Sequence, residues 1–160
     1  MHRTLALAAM LALAACGGAS PPAGADGIAG LPHTEIARSG AATVRATLLP
    51  TDRMAEPMAR QYGIARGEHT VLLLVSVRTG AEGEERSLPA RVRATVTDLQ
   101  GRARPLVLRE LKVGEGDAAL VDHAGTFVIE PPETLSFALD VQPQGAPPLR
   151  MQFSRDFAPR

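Results

Sequence analysis

Short runs in which large apolar residues alternate with small or polar ones are the most constraining feature of this 160-residue chain. The run from Leu135 to Val141 is the clearest example, since every second residue in it is Leu, Phe or Val. A period of two places alternate side chains on opposite faces of an extended strand. The pattern therefore predicts a chain built mainly from half-buried β-strands.

Seven runs are predicted to be strands, and turn sequences rich in Gly, Pro and Asp separate them. The runs span residues 43–49, 69–77, 90–97, 104–111, 118–129, 135–142 and 149–154. We expect a break at Gly125 in the fifth run, and an interruption at Arg155 after the seventh. The predicted fold is all-β: an immunoglobulin-like antiparallel β-sandwich of about seven strands over residues 41–160, with a small barrel as the alternative.

One short helix is predicted after the first strand. The segment from Glu56 to Gly63 has Pro57 in its first turn and a glycine at its end. Met58 and Tyr62 are four residues apart and would share a helix face. We expect this helix to cover one face of the doubly apolar run 71–77 or to close an open end of the sandwich. We favour core packing for Met58 and Tyr62 over the lining of a ligand groove.

The first 15 residues are predicted to be a signal peptide. Arg3 precedes an unbroken apolar stretch from Leu5 to Ala15. Eleven helical residues span about 17 Å, which is shorter than a bilayer core of about 30 Å. The sequence Leu13-Ala14-Ala15-Cys16 resembles the lipobox of bacterial lipoproteins. That resemblance implies a diacylglycerol on the thiol of Cys16, the only cysteine, with cleavage just before it.

Residues 16–40 are predicted to be the lipidated cysteine and a flexible tether, because Gly, Pro, Ala and Ser dominate there without apolar periodicity. His33 lies in this segment and is expected to be an exposed linker residue. The residue after the cysteine is Gly17 and not Asp, which resembles the sorting pattern of outer-membrane lipoproteins. The expected location is therefore the cell envelope, with the protein anchored in the outer membrane by its lipid and facing the periplasm.

Composition argues against several functional classes. The 17 basic residues equal the 17 acidic residues in number, so the electrostatic signature of a nucleic-acid binder is missing. Aromatic residues make up only 3%, which disfavours stacking platforms for bases or sugars. The histidines lack the short His or Cys spacings of zinc sites. We predict no cofactor and no metal site.

Asp122 and His123 are the nearest approach to an acid–base pair. Adjacent strand residues point to opposite faces, so the two side chains are not expected to act together, and His123 is expected to be exposed to solvent. We therefore predict no catalytic residue.

Two charged clusters are interpreted as ordinary solvated surface. Glu82, Glu84 and Glu85 lack the ligand spacing of a Ca²⁺ loop. The turn 114–117 has only two carboxylates, which are too few to enclose Ca²⁺, and it is interpreted as a hairpin turn. Arg91 and Arg93, with Arg78 or Arg109, could form a basic stripe for anionic polymers or lipid headgroups. We favour a solvated sheet face with charged edges.

Several segments resemble one family of small exported proteobacterial proteins, known as domain of unknown function 4426. Tyr62-Gly63-Ile64 and Gly125-Thr126-Phe127 are the most specific of these segments, and the resemblance covers residues 41–158. The chain departs from the family pattern at Asp122 and His123, where aromatic residues are usual, and in extra residues around 52–55. The resemblance implies export and a β-rich fold, and it brings no reaction, cofactor or catalytic residue.

The sequence thus favours a noncatalytic, lipid-anchored binding or accessory module with a protein partner in the envelope. The alternative is a small-ligand or lipid-binding module with a pocket between the helix and the sandwich. A ligand module predicts an apolar cavity near Met58, Tyr62 and Leu72, whereas a protein-binding module predicts an exposed apolar patch or an open sheet edge.

Replacement of Cys16 by Ser is expected to abolish acylation and membrane retention, because the hydroxyl does not replace the thiol as the acceptor of the lipid. Fractionation and fatty-acid labelling of Cys16→Ser cells measure both properties. Continued labelling of the variant would contradict the lipoprotein interpretation.

Overall fold

The computed structural model describes residues 32–114 and 119–159. Within them the chain forms ten strands, one 3-10 helix and one short α-helix. The strands are β1 (His33–Ser39), β2 (Ala42–Pro50), β3 (Thr70–Thr79), β4 (Arg86–Ser87), β5 (Ala90–Asp98), β6 (Ala103–Leu106), β7 (Arg109–Val113), β8 (Leu120–Val128), β9 (Glu133–Pro143) and β10 (Leu149–Phe157). The 3-10 helix is Thr51–Arg53 and the α-helix, α1, is Glu56–Gln61. No helix in these residues is long and apolar enough to cross a membrane.

The strands form two antiparallel sheets packed face to face. The first sheet has the order β1-β2-β3-β8-β7, with β4 paired to the end of β3. The second sheet has the order β10-β9-β5-β6. Among the described strands none belongs to both sheets, so the predicted all-β antiparallel sandwich is confirmed and the closed alternative is wrong.

One apolar core fills the space between the sheets. The alternation in β9 has the predicted register, because Leu135, Phe137, Leu139 and Val141 are all buried. Phe137 stacks on Phe153 with ring centroids 5.1 Å apart. The first sheet contributes alternate residues from its two central strands: Val44, Ala46, Leu48, Val71, Leu73, Val75 and Val77.

A second, smaller cluster covers the outer face of the first sheet. Its buried members are Met54, Ala59, Ile64, Leu72, Leu111 and Ala124. The prediction that the helix segment covers one face of the run 71–77 is therefore confirmed. Met58 is 48% exposed, and Ala59 faces the sheet in its place.

One buried hydroxyl joins the two ends of the segment that contains α1. The Thr51 hydroxyl donates to the Gly67 carbonyl at 3.2 Å and accepts from the Gly67 N–H at 3.0 Å. The segment between β2 and β3 is thereby closed at its base, which fixes where the residues after α1 lie.

The predicted tether over residues 16–40 is wrong at its C-terminal end. His33–Ser39 form β1, which pairs with β2 along its whole length, so the sandwich begins before residue 41. Exposed and half-buried residues alternate along β1 because it is an edge strand. Residues 1–31, which include Cys16 and the predicted signal peptide, lie outside the described residues.

Arg155 also departs from the prediction. The strand β10 continues to Phe157, and Arg155 takes an inward position beside His33 rather than ending the alternation. Its guanidinium at the sandwich edge is half-buried, so a charged residue occupies a core-facing register position.

The predicted single strand 104–111 is two strands in two sheets. Residues 103–106 pair with β5 in the second sheet, and residues 109–113 pair with β8 in the first. Val107 and Leu108, here called the crossover segment, connect the two sheets. Leu106, Val107 and Leu108 are all apolar, so the local pattern does not mark the point at which the chain changes sheets.

Gly125 lies inside a continuous strand and not at a break. It pairs with Leu73 in the middle of β8. A Cβ atom at Gly125 would lie 2.5 Å from the Val107 carbonyl oxygen and 2.8 Å from Leu108 Cδ2. Glycine is required here because the crossover segment passes against the strand.

Truncation of Leu139 or Phe137 to Ala is expected to lower the free energy of unfolding by about 2–5 kcal/mol, because each removes a buried side chain from the core. Asp140→Ala is the matched control on the opposite face. Its ion pair with Arg150 is solvent-exposed, so its loss should cost less than about 1 kcal/mol. Urea unfolding measures these values, and equal losses at 139 and 140 would contradict the register.

Candidate functional site

The residues singled out from the sequence do not form one site. His33 and Glu35 share a face of β1, and His33 Nε2 lies 2.9 Å from Glu35 Oε1. The other ring nitrogen of His33 is 3.5 Å from the Arg155 guanidinium, and the ring lies 6.1 Å from Phe153. His33 is therefore a partnered side chain at the edge of the sandwich and not the exposed linker residue that the sequence predicted.

Asp122 and His123 point to opposite faces of β8, as predicted. Asp122 is 7% exposed on the outer face, where it forms an ion pair with Arg78, itself 5% exposed. The Arg78 guanidinium also donates to the Val121 carbonyl at 2.8 Å. Ser87 of β4 accepts from the Val121 N–H at 2.7 Å. This polar cluster is buried and internally bonded, which is typical of a structural role.

His123 is half-buried, so the prediction of a solvent-exposed histidine is wrong. Burial lowers the pKa of His123, because the imidazolium loses hydration, while the nearby carboxylates of Glu110 and Asp122 partly oppose this and Arg78 adds to it. The ring faces the interior of the sandwich between β3 and β7, since it pairs in register with Val75 and Glu110. His123 is thus separated from Asp122 by the sheet.

The four arginines do not form the basic stripe that was the less favoured interpretation of the sequence. Arg78 is buried with Asp122, and Arg109 donates to the carbonyls of Tyr62 and Gly63. Arg91 and Arg93 remain on the outer face of the second sheet, where Arg93 stands opposite Asp140. The interpretation as an ordinary solvated sheet face agrees with this arrangement.

The acidic loop is partly bonded rather than free in solvent. Glu85 accepts two hydrogen bonds from the Arg45 guanidinium, at 2.7 and 3.1 Å, and these bonds lower the pKa of its carboxyl. The turn 114–117 is described only at Gly114, so its two carboxylates lie outside the described residues. Across residues 32–114 and 119–159, no group of three or more His, Cys, Asp or Glu side chains is placed to hold a metal ion.

Among the described residues, Val107 of the crossover segment is the most exposed large apolar residue. Val107 is 84% exposed and Val128 is 61% exposed, although both lie beside the buried residues of β8. Two open cavities meet at Val107. We call them the outer cavity and the inner cavity, after the faces of the first sheet on which they lie, and together they form the crossover groove.

The outer cavity has a volume of about 400 Å³. Leu72, Ala124 and Gly125 form its sheet side, and Ile64 and Ala65 form the side that follows α1. Arg109 is the charged residue of its lining. This cavity lies between the helix segment and the sheet, where the ligand-binding alternative expects one, but Met58 does not line it.

The inner cavity has a volume of about 390 Å³ and lies between β6 and β8. Leu106, Phe127 and Val128 supply apolar surface, and Arg104 is the charged residue of its lining. Thr126 and Val107 border both cavities. Sequence reasoning missed this site because its residues come from three distant segments that meet only when the chain changes sheets.

The lowered pKa of His123 predicts that acid weakens the fold. The unfolded histidine takes up a proton near pH 6.5 and the folded one resists it, so stability is complete above about pH 6.5 and falls as the pH drops towards the lowered value. His123→Gln should flatten this dependence in urea unfolding between pH 7.5 and 5.5. His69→Gln, at an exposed histidine, is the matched control, and an unchanged slope in His123→Gln would contradict the assignment.

Comparison with solved structures finds the same fold in other proteins. A DUF4426 family protein from Pseudomonas aeruginosa PAO1 is 23% identical, with a TM-score of 0.64 over 79% of this chain and 96% of that one. A copper-bound variant of FetP from uropathogenic Escherichia coli strain F11 is 12% identical, with a TM-score of 0.53 over 79% and 97%. FetP of the same strain, isolated after recombinant expression in the periplasm, is 11% identical, with a TM-score of 0.53 over 80% and 97%.

Comparison with curated protein sequences finds no significant match. The family model described as "Domain of unknown function (DUF4426)" matches residues 36–159. This match begins within β1 and ends after β10, so it spans nearly the whole sandwich and extends the resemblance seen in the sequence at both ends. The chain belongs to the DUF4426 family.

Proposed function

We propose that this protein is a noncatalytic, lipid-anchored module of the bacterial cell envelope that faces the periplasm and binds a protein partner near the outer membrane. The observation that carries the proposal is the crossover groove, where Val107 and Val128 expose apolar side chains next to two open cavities. Exposed apolar surface of this kind is typical of interaction sites.

The lipobox-like sequence at Cys16 supplies the anchoring part of the proposal. Seventeen residue steps separate Cys16 from His33, where the sandwich begins. At no more than about 3.6 Å per residue, the domain would stay within about 60 Å of its anchor. A domain confined in this way meets partners in the same layer at a high effective concentration.

Copper binding is not part of the proposal, although one structural neighbour is a copper-bound protein. His33 and Glu35 are the closest pair of ligand types on one face, and they bond to each other. The Arg155 guanidinium lies against the same imidazole, where its charge would oppose a cation. A third ligand beside this pair is missing from the residues that the structure describes.

The second candidate function is the binding of a small ligand or lipid in the outer cavity. Its position between the helix segment and the sheet favours this alternative. The protein-binding function is preferred because the exposed apolar surface extends beyond this cavity. Val107 borders both cavities, and Val128 lines only the inner one.

Site-specific photocrosslinking in cells tests the proposal. A photoreactive side chain at position 107 in the anchored protein should give a discrete adduct with an envelope protein. The same group at Ile36, an exposed apolar residue on β1, is the matched control and should not give that adduct.

A soluble form, with residues 17–160 behind an ordinary signal peptide, tests the role of the anchor. At equal abundance, its adduct at position 107 should fall several-fold, because confinement near the membrane is lost. Equal adducts from soluble and anchored forms would contradict the proximity mechanism. Adducts from position 36 but not from 107 would contradict the groove.

A further inference from the structure

We propose that the crossover groove binds its partner by strand addition: an extended segment, with a short apolar centre and an acidic residue at each end, pairs with the open edge of β8. This inference rests on the proposed binding function and specifies the chemistry of the partner. It follows from the direction of the backbone groups in β8, the two cavities beside them and the charges at the ends of the groove.

The peptide groups of successive residues in β8 point alternately towards β3 and away from it. The Ile129 N–H donates to the His69 carbonyl at 2.8 Å, so residue 129 points its peptide groups towards β3. The N–H and C=O of one strand residue point to the same side, and neighbouring residues point to opposite sides. Gly125 and Phe127 therefore bond towards β3, whereas Ala124, Thr126 and Val128 point to the other edge.

Three separate contacts agree with this alternation. The Val128 carbonyl accepts a hydrogen bond from the Arg104 guanidinium at 3.4 Å, on the side away from β3. The Val121 N–H donates to Ser87 Oγ, on the side of β3 and its partner β4. Ala124 pairs with Arg109 of β7.

The strand β7 covers only part of this edge. Its pairing with β8 runs from Leu120 to Ala124 and stops where the crossover segment leaves for the second sheet. Within the described residues, no strand lies opposite the N–H and C=O of Thr126 or the N–H of Val128. Exposed donors and acceptors of this kind form a template for a further strand.

The cavities on both sides of the edge fit the side chains of an added strand. Successive strand side chains point to opposite faces of a sheet. The outer cavity lies on one face beside Thr126, and the inner cavity lies on the other face beside Phe127. A paired segment would place alternate apolar side chains in the two cavities.

The charges select an acidic segment. Arg109 lines the outer cavity at the Ala124 end of the edge, and Arg104 lines the inner cavity at the Val128 end. Among the described residues, no acidic one belongs to the lining of either cavity. One arginine lies near each end of the open edge, so a segment with an acidic residue on either side of a short apolar centre complements the charge of the groove.

Peptide binding to the mature, full-length protein tests the inference. The probe is acetyl-Glu-Val-Val-Val-Glu-amide, and the charge control is the same peptide with Lys in place of Glu. NMR titration should give saturable shifts centred on the amides of Thr126 and Val128 with the acidic probe, and binding at least tenfold weaker with the basic control. Shifts centred elsewhere, or no shifts with the acidic probe, would overturn the proposal.

Backbone methylation separates strand addition from general apolar contact. Two forms of the probe carry N-methyl groups, one on residues 2 and 4 and the other on residue 3. Only one of these sets faces β8, so one form should bind like the parent and the other should lose binding more than tenfold. An equal effect of both would exclude backbone pairing.

Variants of the protein also distinguish strand addition from general apolar contact. Thr126→Pro removes an N–H that points away from β3, so it breaks no hydrogen bond between β3 and β8. This variant should abolish binding of the probe. Thr126→Val keeps the N–H and should bind the probe normally. Arg104→Glu should weaken binding of the probe at least tenfold, whereas the control Arg91→Glu, on the second sheet, should not. If Thr126→Pro does not fold, the comparison of these two variants tests the proposal.

Self-pairing of two copies through this edge is the competing occupant. It would appear as concentration-dependent shifts at Thr126 and Val128 without peptide, and it would overturn the partner proposed here. Failure of the peptide to bind would leave the crosslinking comparison of anchored and soluble forms intact. The two proposals therefore fail by different measurements.

Discussion

The contact between Gly125 and the crossover segment determines the layout of this molecule. The Val107 carbonyl occupies the space where any side chain at position 125 would begin, at 2.5 Å from an ideal Cβ. This close approach lets the chain pass from the second sheet to the first against β8. It also ends the β7–β8 pairing at Ala124 and leaves Val107 exposed. The groove and the open edge are consequences of one backbone contact.

The parts of the fold that the sequence predicted are those in which burial differs strongly between two faces. In β9 the inward residues from Leu135 to Val141 are all large and apolar, so a shift of one residue would expose the whole set, and the register is fixed. The α1 segment was also predictable, because Pro57 and the following glycine mark its ends. Its buried face was not, since Ala59 rather than Met58 meets the sheet.

The parts that were missed lack that difference between faces. The edge strand β1 alternates only between exposed and half-buried residues, so its sequence resembles a linker. The run 104–111 is apolar throughout its change of sheet, and nothing local marks Val107 as the turning point. The candidate site shares this difficulty, because Ile64, Arg104 and Val128 become neighbours only through the crossover.

The small size of the open edge explains why binding at the groove would depend on the membrane anchor. The edge offers the N–H and C=O of Thr126 and the N–H of Val128, and each hydrogen bond contributes only about 0.5–1.5 kcal/mol net. Two shallow cavities and two exposed arginines add apolar and charge contacts, but a segment of five residues also loses conformational entropy on binding. The resulting affinity is modest for a freely diffusing protein. Attachment within about 60 Å of a membrane raises the effective concentration of partners in the same layer, and a modest affinity is then sufficient for occupancy.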